Sequence, residues 1–328
     1  MRSPPHLHRS PGSNPPGEHA LAATSTTALG GGVSSDIWIE HAPQGDYVVK
    51  RALGKLKVQA DWFSDPARSS NEVNALRAIA ELLGQAHVPK VLWVDDARHQ
   101  FAMERIDPRF KNWKETLLSG HVDFTSARSV GQLLGRMHAR SFDNAQLAET
   151  FANTQPLIEL RIRPYFERIA ERNPTLAPAV AEVVERLLAT RIALVHGDFS
   201  PKNLLVDARD VVILDGEVAH WGDARFDVAF CLTHLLLKSF RRGAPMPLLL
   251  GATLAFLSAY RSAGLDVLDR DFVRQTGCLL LARLEGDSPI DYLDDLDTNA
   301  VARFATELIL RPPACGEDAL NTLSGSHA

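Results

Sequence analysis

The chain has 328 residues, of which 45% are hydrophobic and 23% charged, a globular composition with room for roughly two folding units of about 150 residues. A net charge of -5 gives no general attraction to nucleic-acid phosphates or anionic lipid. The longest apolar runs, around 235–237 and 279–281, are broken by Lys238 and Arg283, and three scattered cysteines (Cys231, Cys278, Cys315) make neither a disulfide framework nor a zinc site. These features predict a cytoplasmic protein with no nucleic-acid and no membrane partner.

Residues 1–24 are dominated by Pro, Ser, His and Gly, carry no periodic apolar face and read as a disordered tail. They lack the continuous apolar core of a secretory signal. From 25 to 106 the signals are mostly strands with one helix. Alternating runs at 36–40 and 47–50 are joined by the turn Pro43-Gln44-Gly45-Asp46. Val73, Leu76, Ile79, Ala80 and Leu83 recur at helical spacing over 71–83, a stripe suited to lie on a sheet. Strands at 91–94 and 101–106 bracket Asp95-Asp96 and complete a small antiparallel sheet. After 106 helices take over. Val130, Leu133, Leu134 and Met137 form one stripe, and Val180, Val183, Val184 and Leu187 another. Further helices fit 224–240, 247–263, 272–284 and 301–310, with a strand-loop-strand island at 192–214. The predicted class is α+β: a β-rich N-terminal lobe over 25–106, a larger helical lobe over 107–315 and a flexible C-terminus over 316–328.

The island carries the chemistry. An apolar strand ends in His196-Gly197-Asp198, the loop Phe199-Ser200-Pro201-Lys202 follows, and Asn203 opens a second strand. A third apolar run, Val211-Val212-Ile213-Leu214, delivers Asp215-Gly216-Glu217. These residue types suit phosphoryl transfer. Asp198 can orient an attacking hydroxyl and accept its proton, while Asn203 and Asp215 offer the hard oxygens that Mg2+ prefers. A hairpin would bring both ligands together.

His196-Gly197-Asp198 with Asn203 five residues after the Asp, then Asp215, resembles the small-molecule kinase superfamily of aminoglycoside phosphotransferases, choline kinases and methylthioribose kinases. The resemblance extends through Trp221-Gly222-Asp223-Ala224-Arg225-Phe226-Asp227. It implies a protein-kinase-like two-lobe fold, ATP and Mg2+ as cofactors, and a small-molecule hydroxyl as acceptor. His196 and Asp227 are then structural supports of the catalytic loop. Glu217, two residues after Asp215, matches the Asp-x-Glu pattern of choline and methylthioribose kinases, where the Glu can join the metal site. The loop after Asp198 departs from the His-Thr-Gly-Ser type of methylthioribose kinases.

The same resemblance places the nucleotide in the N-terminal lobe. Gly30-Gly31-Gly32-Val33-Ser34-Ser35 lies between two predicted strands, where Gly31 and Gly32 let backbone approach phosphate and Ser34 and Ser35 add hydroxyl donors. Lys50, ending an apolar strand, is the expected phosphate-binding cation, with Glu72 as its carboxylate partner. Met103, Glu104 and Arg105 fall on the expected adenine-pairing hinge, a main-chain role.

Acceptor-side signals are weaker. Glu285, Asp287, Asp291, Asp294, Asp295 and Asp297 could form an acidic wall for a cationic acceptor or a solvated connection. Tyr292, Trp113 and Trp221 could line such a wall or simply pack. Lys202 meets either the phosphoryl group or solvent. His138, Arg161 and Arg163 join no constellation visible in sequence. A methylthioribose- or choline-type metabolite kinase and a non-catalytic nucleotide-binding scaffold are the alternatives.

Overall fold

The computed structural model describes residues 25–30, 33–57 and 62–325. The expected tail, and Gly31 and Gly32 of the glycine run, lie outside the described residues. The N-terminal part, to residue 104, holds a five-stranded antiparallel sheet in the order β1-β2-β3-β5-β4. Its strands are β1 (Ser25–Leu29), β2 (Ser35–His41), β3 (Tyr47–Ala52), β4 (Val91–Asp95) and β5 (Gln100–Glu104).

Alternation along β3 decides where the lysine goes. Tyr47 and Val49 face one side, where they cluster with Ala102 beside Trp38 and Trp93. Lys50 pairs in register with Phe101 of β5, which belongs to the main core together with Val73, Leu76 and Ile79 of the helix Arg68–Leu83. The period of two therefore turns Lys50 under that helix and into the molecule. The helix starts at Arg68, three residues before its apolar stripe predicts, and buries Arg68, Ser69 and Glu72 along with Val73, Leu76 and Ile79 of the stripe.

Two small sheets open the helical half. The strands β7 (Ala193–Val195) and β10 (His220–Gly222) pair antiparallel, and β6 (Lys111–Asn112), β8 (Leu204–Asp207) and β9 (Asp210–Ile213) form the order β6-β8-β9. In the helix Arg225–Ser239, every residue from Phe226 to Ser239 is buried. It packs against Met246–Ala263 and Arg270–Glu285. A π-helical stretch, Ile158–Glu167, contains Pro164, which has no N–H to give to an ordinary helical ladder. The expected flexible C-terminus is corrected in its described part: Gly316–Gly325 is helical and buries Ala319, Leu320 and Leu323 in the core. No helix among the described residues is long and apolar enough to cross a membrane.

Candidate active site

Lys50 is buried, and its Nζ lies 2.9 Å from Glu72 Oε1 and 2.7 Å from Oε2. The same ammonium donates to Asp215 Oδ1, which arrives from the far side of the chain. Burial works against a charged lysine, but the carboxylates of Asp215, Glu72 and Glu217 outweigh it and hold Lys50 above its ordinary range. Burial, with Asp215 and Glu217 nearby, pushes the Glu72 carboxyl up against the pull of Lys50. Asp215 has φ 66°, in the left-handed region. A Cβ on the next residue, Gly216, would lie 2.6 Å from the Ala75 Cβ, so only glycine lets the turn press onto the helix Arg68–Leu83.

That close approach also delivers Glu217. Its Oε2 accepts from Arg68 Nε at 3.0 Å, with both side chains buried. The Arg68 guanidinium further donates to the Ser34, Leu53, Ser64 and Asp65 carbonyls. Ser34 and Ser35 are buried, and the Ser35 hydroxyl has no partner among the described residues. Arg68 is a buried residue of this cluster that sequence reasoning missed, because it precedes the periodic stripe.

The His196–Asn203 loop is fixed from beneath. Asp227 accepts from the backbone N–H of His196 at 2.7 Å and of Gly197 at 2.8 Å, and contacts His138 Nε2 at 3.2 Å. Burial alone would raise its carboxyl, but the hydrogen bond and charge of His138 and the loop amides hold it below the usual range. His138 Nδ1 in turn bonds the Tyr260 hydroxyl at 2.9 Å. The Asp198 N–H donates to His196 Nδ1 at 3.2 Å, so Nε2 carries the proton and donates to the Leu214 carbonyl at 2.9 Å. Gly197 has φ +78°, and a Cβ there would meet the Val218 carbonyl oxygen at 2.5 Å.

Asp198 is buried between two cations, with Arg161 Nη2 at 3.1 Å from Oδ1 and Lys202 Nζ at 2.9 Å from Oδ2. Burial would raise its carboxyl, yet Lys202 and Arg161 prevail and lower it, so it is a carboxylate at neutral pH. The Lys202 side chain is 47% exposed and reaches back from solvent. Arg161 also donates to the Gly197 carbonyl at 2.9 Å. It sits on the π-helical stretch, whose irregular turn no periodicity argument anticipates. Arg163 is exposed and joins nothing here.

The residues fit a divalent cation. Asn203 Nδ2 donates to the Asp198 carbonyl at 2.9 Å, which leaves the amide oxygen as a hard donor. Asn203 and Asp215 are brought near by the β8–β9 hairpin, and the Leu214 N–H donates to the Asn203 carbonyl at 2.9 Å. Glu72, Asp215 and Glu217 have oxygens within 4.8 Å of one another, with Lys50 bound to two of them.

At the expected hinge, Met103 pairs with Val48 and Glu104 with Tyr47. The Glu104 N–H is already given to the Lys90 carbonyl at 2.8 Å, and Arg105 pairs with Asp46. Most of the acidic run near the C-terminus is already engaged. Asp287 is bound by Arg168 at 2.8 Å, Asp291 by Lys114 at 2.5 Å and Glu285 by Asn173 at 2.7 Å, while Asp297 caps the helix Thr298–Leu310. Trp113 and Trp221 are core residues.

A sequence profile of the phosphotransferase enzyme family matches residues 25–268. Methylthioribose kinases of Escherichia coli O45:K1 and Geobacillus kaustophilus are 25% identical over 244 residues and 28% identical over 221. These matches cover 65% and 60% of this chain but 58% and 55% of theirs, so the chain spans little more than half the length of these relatives. An amicoumacin kinase solved with AMP-PNP and Ca2+ shares the fold at TM-score 0.56 and 16% identity, covering 88% of this chain and 89% of its own. A choline/ethanolamine kinase family protein from Mesorhizobium loti does so at TM-score 0.52 and 14% identity, covering 94% of each.

Proposed function

The chain belongs to the phosphotransferase enzyme family, and from that premise we propose that it transfers the γ-phosphoryl group of ATP, with Mg2+, to a hydroxyl of a small molecule. The observation that carries this reading is the meeting, from distant parts of the chain, of Lys50, Glu72 and Asp215 with the loop that holds Asp198 and Asn203. Lys50 is assigned to the α- and β-phosphates, positioned by Glu72. Ser34, Ser35 and the backbone around Met103, Glu104 and Arg105 are assigned to the rest of the nucleotide. Asn203 and Asp215 would hold the metal, joined by Glu217, whose carboxylate has an oxygen within 4.8 Å of one of Asp215. Mg2+ supplies neutralisation of the charge on the transferred group.

Asp198 orients the acceptor hydroxyl and receives its proton. Arg161 keeps that carboxylate aimed, and Lys202 lies where it can meet the transferring phosphoryl group. Catalysis on this scheme is mostly positioning and electrostatics. The names of the relatives make methylthioribose the first acceptor to try, followed by choline and aminoglycosides. The test is ADP release over that panel. Asp198→Asn is expected to lower turnover by at least about 10²-fold while AMP-PNP binding is retained. Undiminished turnover in that variant overturns the assignment.

A further inference from the structure

Beyond Asp198 the site continues into a wall of unusual charge. The Arg161 guanidinium lies over the rings of Tyr165 and Phe230, at 5.5 and 5.2 Å. Arg283 approaches the other side of that cluster, over Tyr165 at 5.5 Å and donating to its hydroxyl at 2.7 Å. The Phe230 ring is 5.1 Å from that of His234. One turn further along the same buried helix, Lys238 donates to the His234 carbonyl at 3.0 Å and lies 5.5 Å over the Tyr292 ring.

Neither Lys238 nor Arg283 has a carboxylate partner among the described residues. Lys238 is only 1% exposed. As an ammonium it has only one carbonyl and one aromatic face to compensate it, and burial first, then the charge of Lys114, lowers it to about 7, so a fold gains nothing in stability by keeping it. Two further groups point the same way. The Tyr292 hydroxyl is buried with no hydrogen-bond partner among the described residues, and so is Arg283 Nε. The His234 ring makes no hydrogen bond among the described residues. Burial first, and then the fields of Arg283, Lys238, Lys202 and Lys114, hold this histidine well below its ordinary range. The two carboxylates at hand are already shared, Asp198 between Arg161 and Lys202, and Asp291 with Lys114.

We propose that Arg283, Lys238 and Tyr292 bind an anionic group, a carboxylate or phosphate, of the acceptor whose hydroxyl Asp198 engages. The proposal rests on the kinase reading of Asp198 and refines it: the acceptor is a hydroxy acid or a phosphorylated alcohol. A polycation or a quaternary ammonium would meet like charge here. The partnerless donors are those a small oxyanion satisfies, and burial makes each charge-assisted bond strong.

The test uses inorganic phosphate as the probe and reads binding, so it is independent of turnover. With the nucleotide site of the full chain saturated by AMP-PNP and Mg2+, calorimetric titration is expected to show one saturable phosphate site, with a Kd on the order of 1 mM or tighter. Arg283→Met and Lys238→Met are each expected to weaken it at least about tenfold and to leave AMP-PNP binding unchanged. Arg283 is half-buried, so its variant keeps the test available whatever Lys238→Met does to folding. No saturable binding, equal binding by Arg283→Met, or displacement of phosphate by choline would each overturn the proposal. No ADP release over that panel extended by hydroxy acids and phosphorylated alcohols, with phosphate binding intact, would instead refute the kinase reading.

Discussion

A single guanidinium, that of Arg68, joins four separate segments of the chain. It donates to the carbonyls of Ser34 at the exit of the glycine run, Leu53 after β3, and Ser64 and Asp65 before its own helix, and it pairs with Glu217 beyond Asp215. All five bonds lie at a side chain 1% exposed. Arg68→Met would leave the buried Glu217 carboxylate without a cation and strip four carbonyls of a donor. A loss of about 3–5 kcal/mol is expected, the usual cost of breaking a buried pair from one side. Urea denaturation measures it, and Arg68→Met combined with Glu217→Met should recover part of the loss. Lys50 and Glu72 were legible in sequence because one ends an apolar strand and the other opens an amphipathic helix. Arg68 was not, because a buried arginine has no periodic signature and its partners come from other elements. Arg161 was hidden for a related reason: its neighbours Gly197 and Asp198 are 36 and 37 positions away, across a π-helical turn.

Two elements position the His196–Asn203 loop, the hairpin β8–β9 and the helix Arg225–Ser239, buried from Phe226 onward. Short apolar runs marked the first in sequence, and a mostly apolar stretch over 224–240 marked the second. What the stretch concealed is that Asp227, His234 and Lys238 are buried with the rest, since an all-round apolar helix gives no face from which to judge its polar members. Asp227 is the clearest of these, with two loop amides and His138 on one carboxylate. Asp227→Asn turns one acceptor into a donor facing N–H groups and should destabilise the protein by about 2–4 kcal/mol. The sign of its pH dependence follows from the lowered carboxyl. A group whose folded pKa lies below its unfolded value, here 3.8, contributes in full above that value and loses its contribution as the pH falls through the folded one. The gap in urea midpoint between wild type and Asp227→Asn is therefore expected to be widest at neutral pH and to close on acidification. A gap that stayed constant below pH 4 would show that Asp227 acts by packing alone.

On the scale of the whole molecule, two lobes are joined by charge as well as by core. The helix Arg68–Leu83 contributes Val73, Leu76 and Ile79 to the same contiguous core as Leu194, Phe199 and Phe226. Lys50 and Arg68 reach across to Asp215 and Glu217. The sequence divides cleanly near residue 106 because strand signals stop there, but the packing does not divide. Unfolding should thus be one cooperative transition. Tryptophan fluorescence tests this directly, since Trp38 and Trp93 report the N-terminal sheet and Trp113 and Trp221 the helical half. The two sets should lose signal at the same urea concentration as the far-UV circular dichroism. AMP-PNP with Mg2+ at 100 times its Kd should move that single transition by about 2.7 kcal/mol. Lys50→Met leaves Glu72, Asp215 and Glu217, with oxygens within 4.8 Å of one another, sharing no ammonium. Mutual repulsion of those carboxylates should loosen the contact between the halves, lower the midpoint and abolish most of the nucleotide-induced shift. A Lys50→Met protein that unfolds at the wild-type midpoint and still responds fully to AMP-PNP would mean that the shared apolar core alone holds the lobes in register.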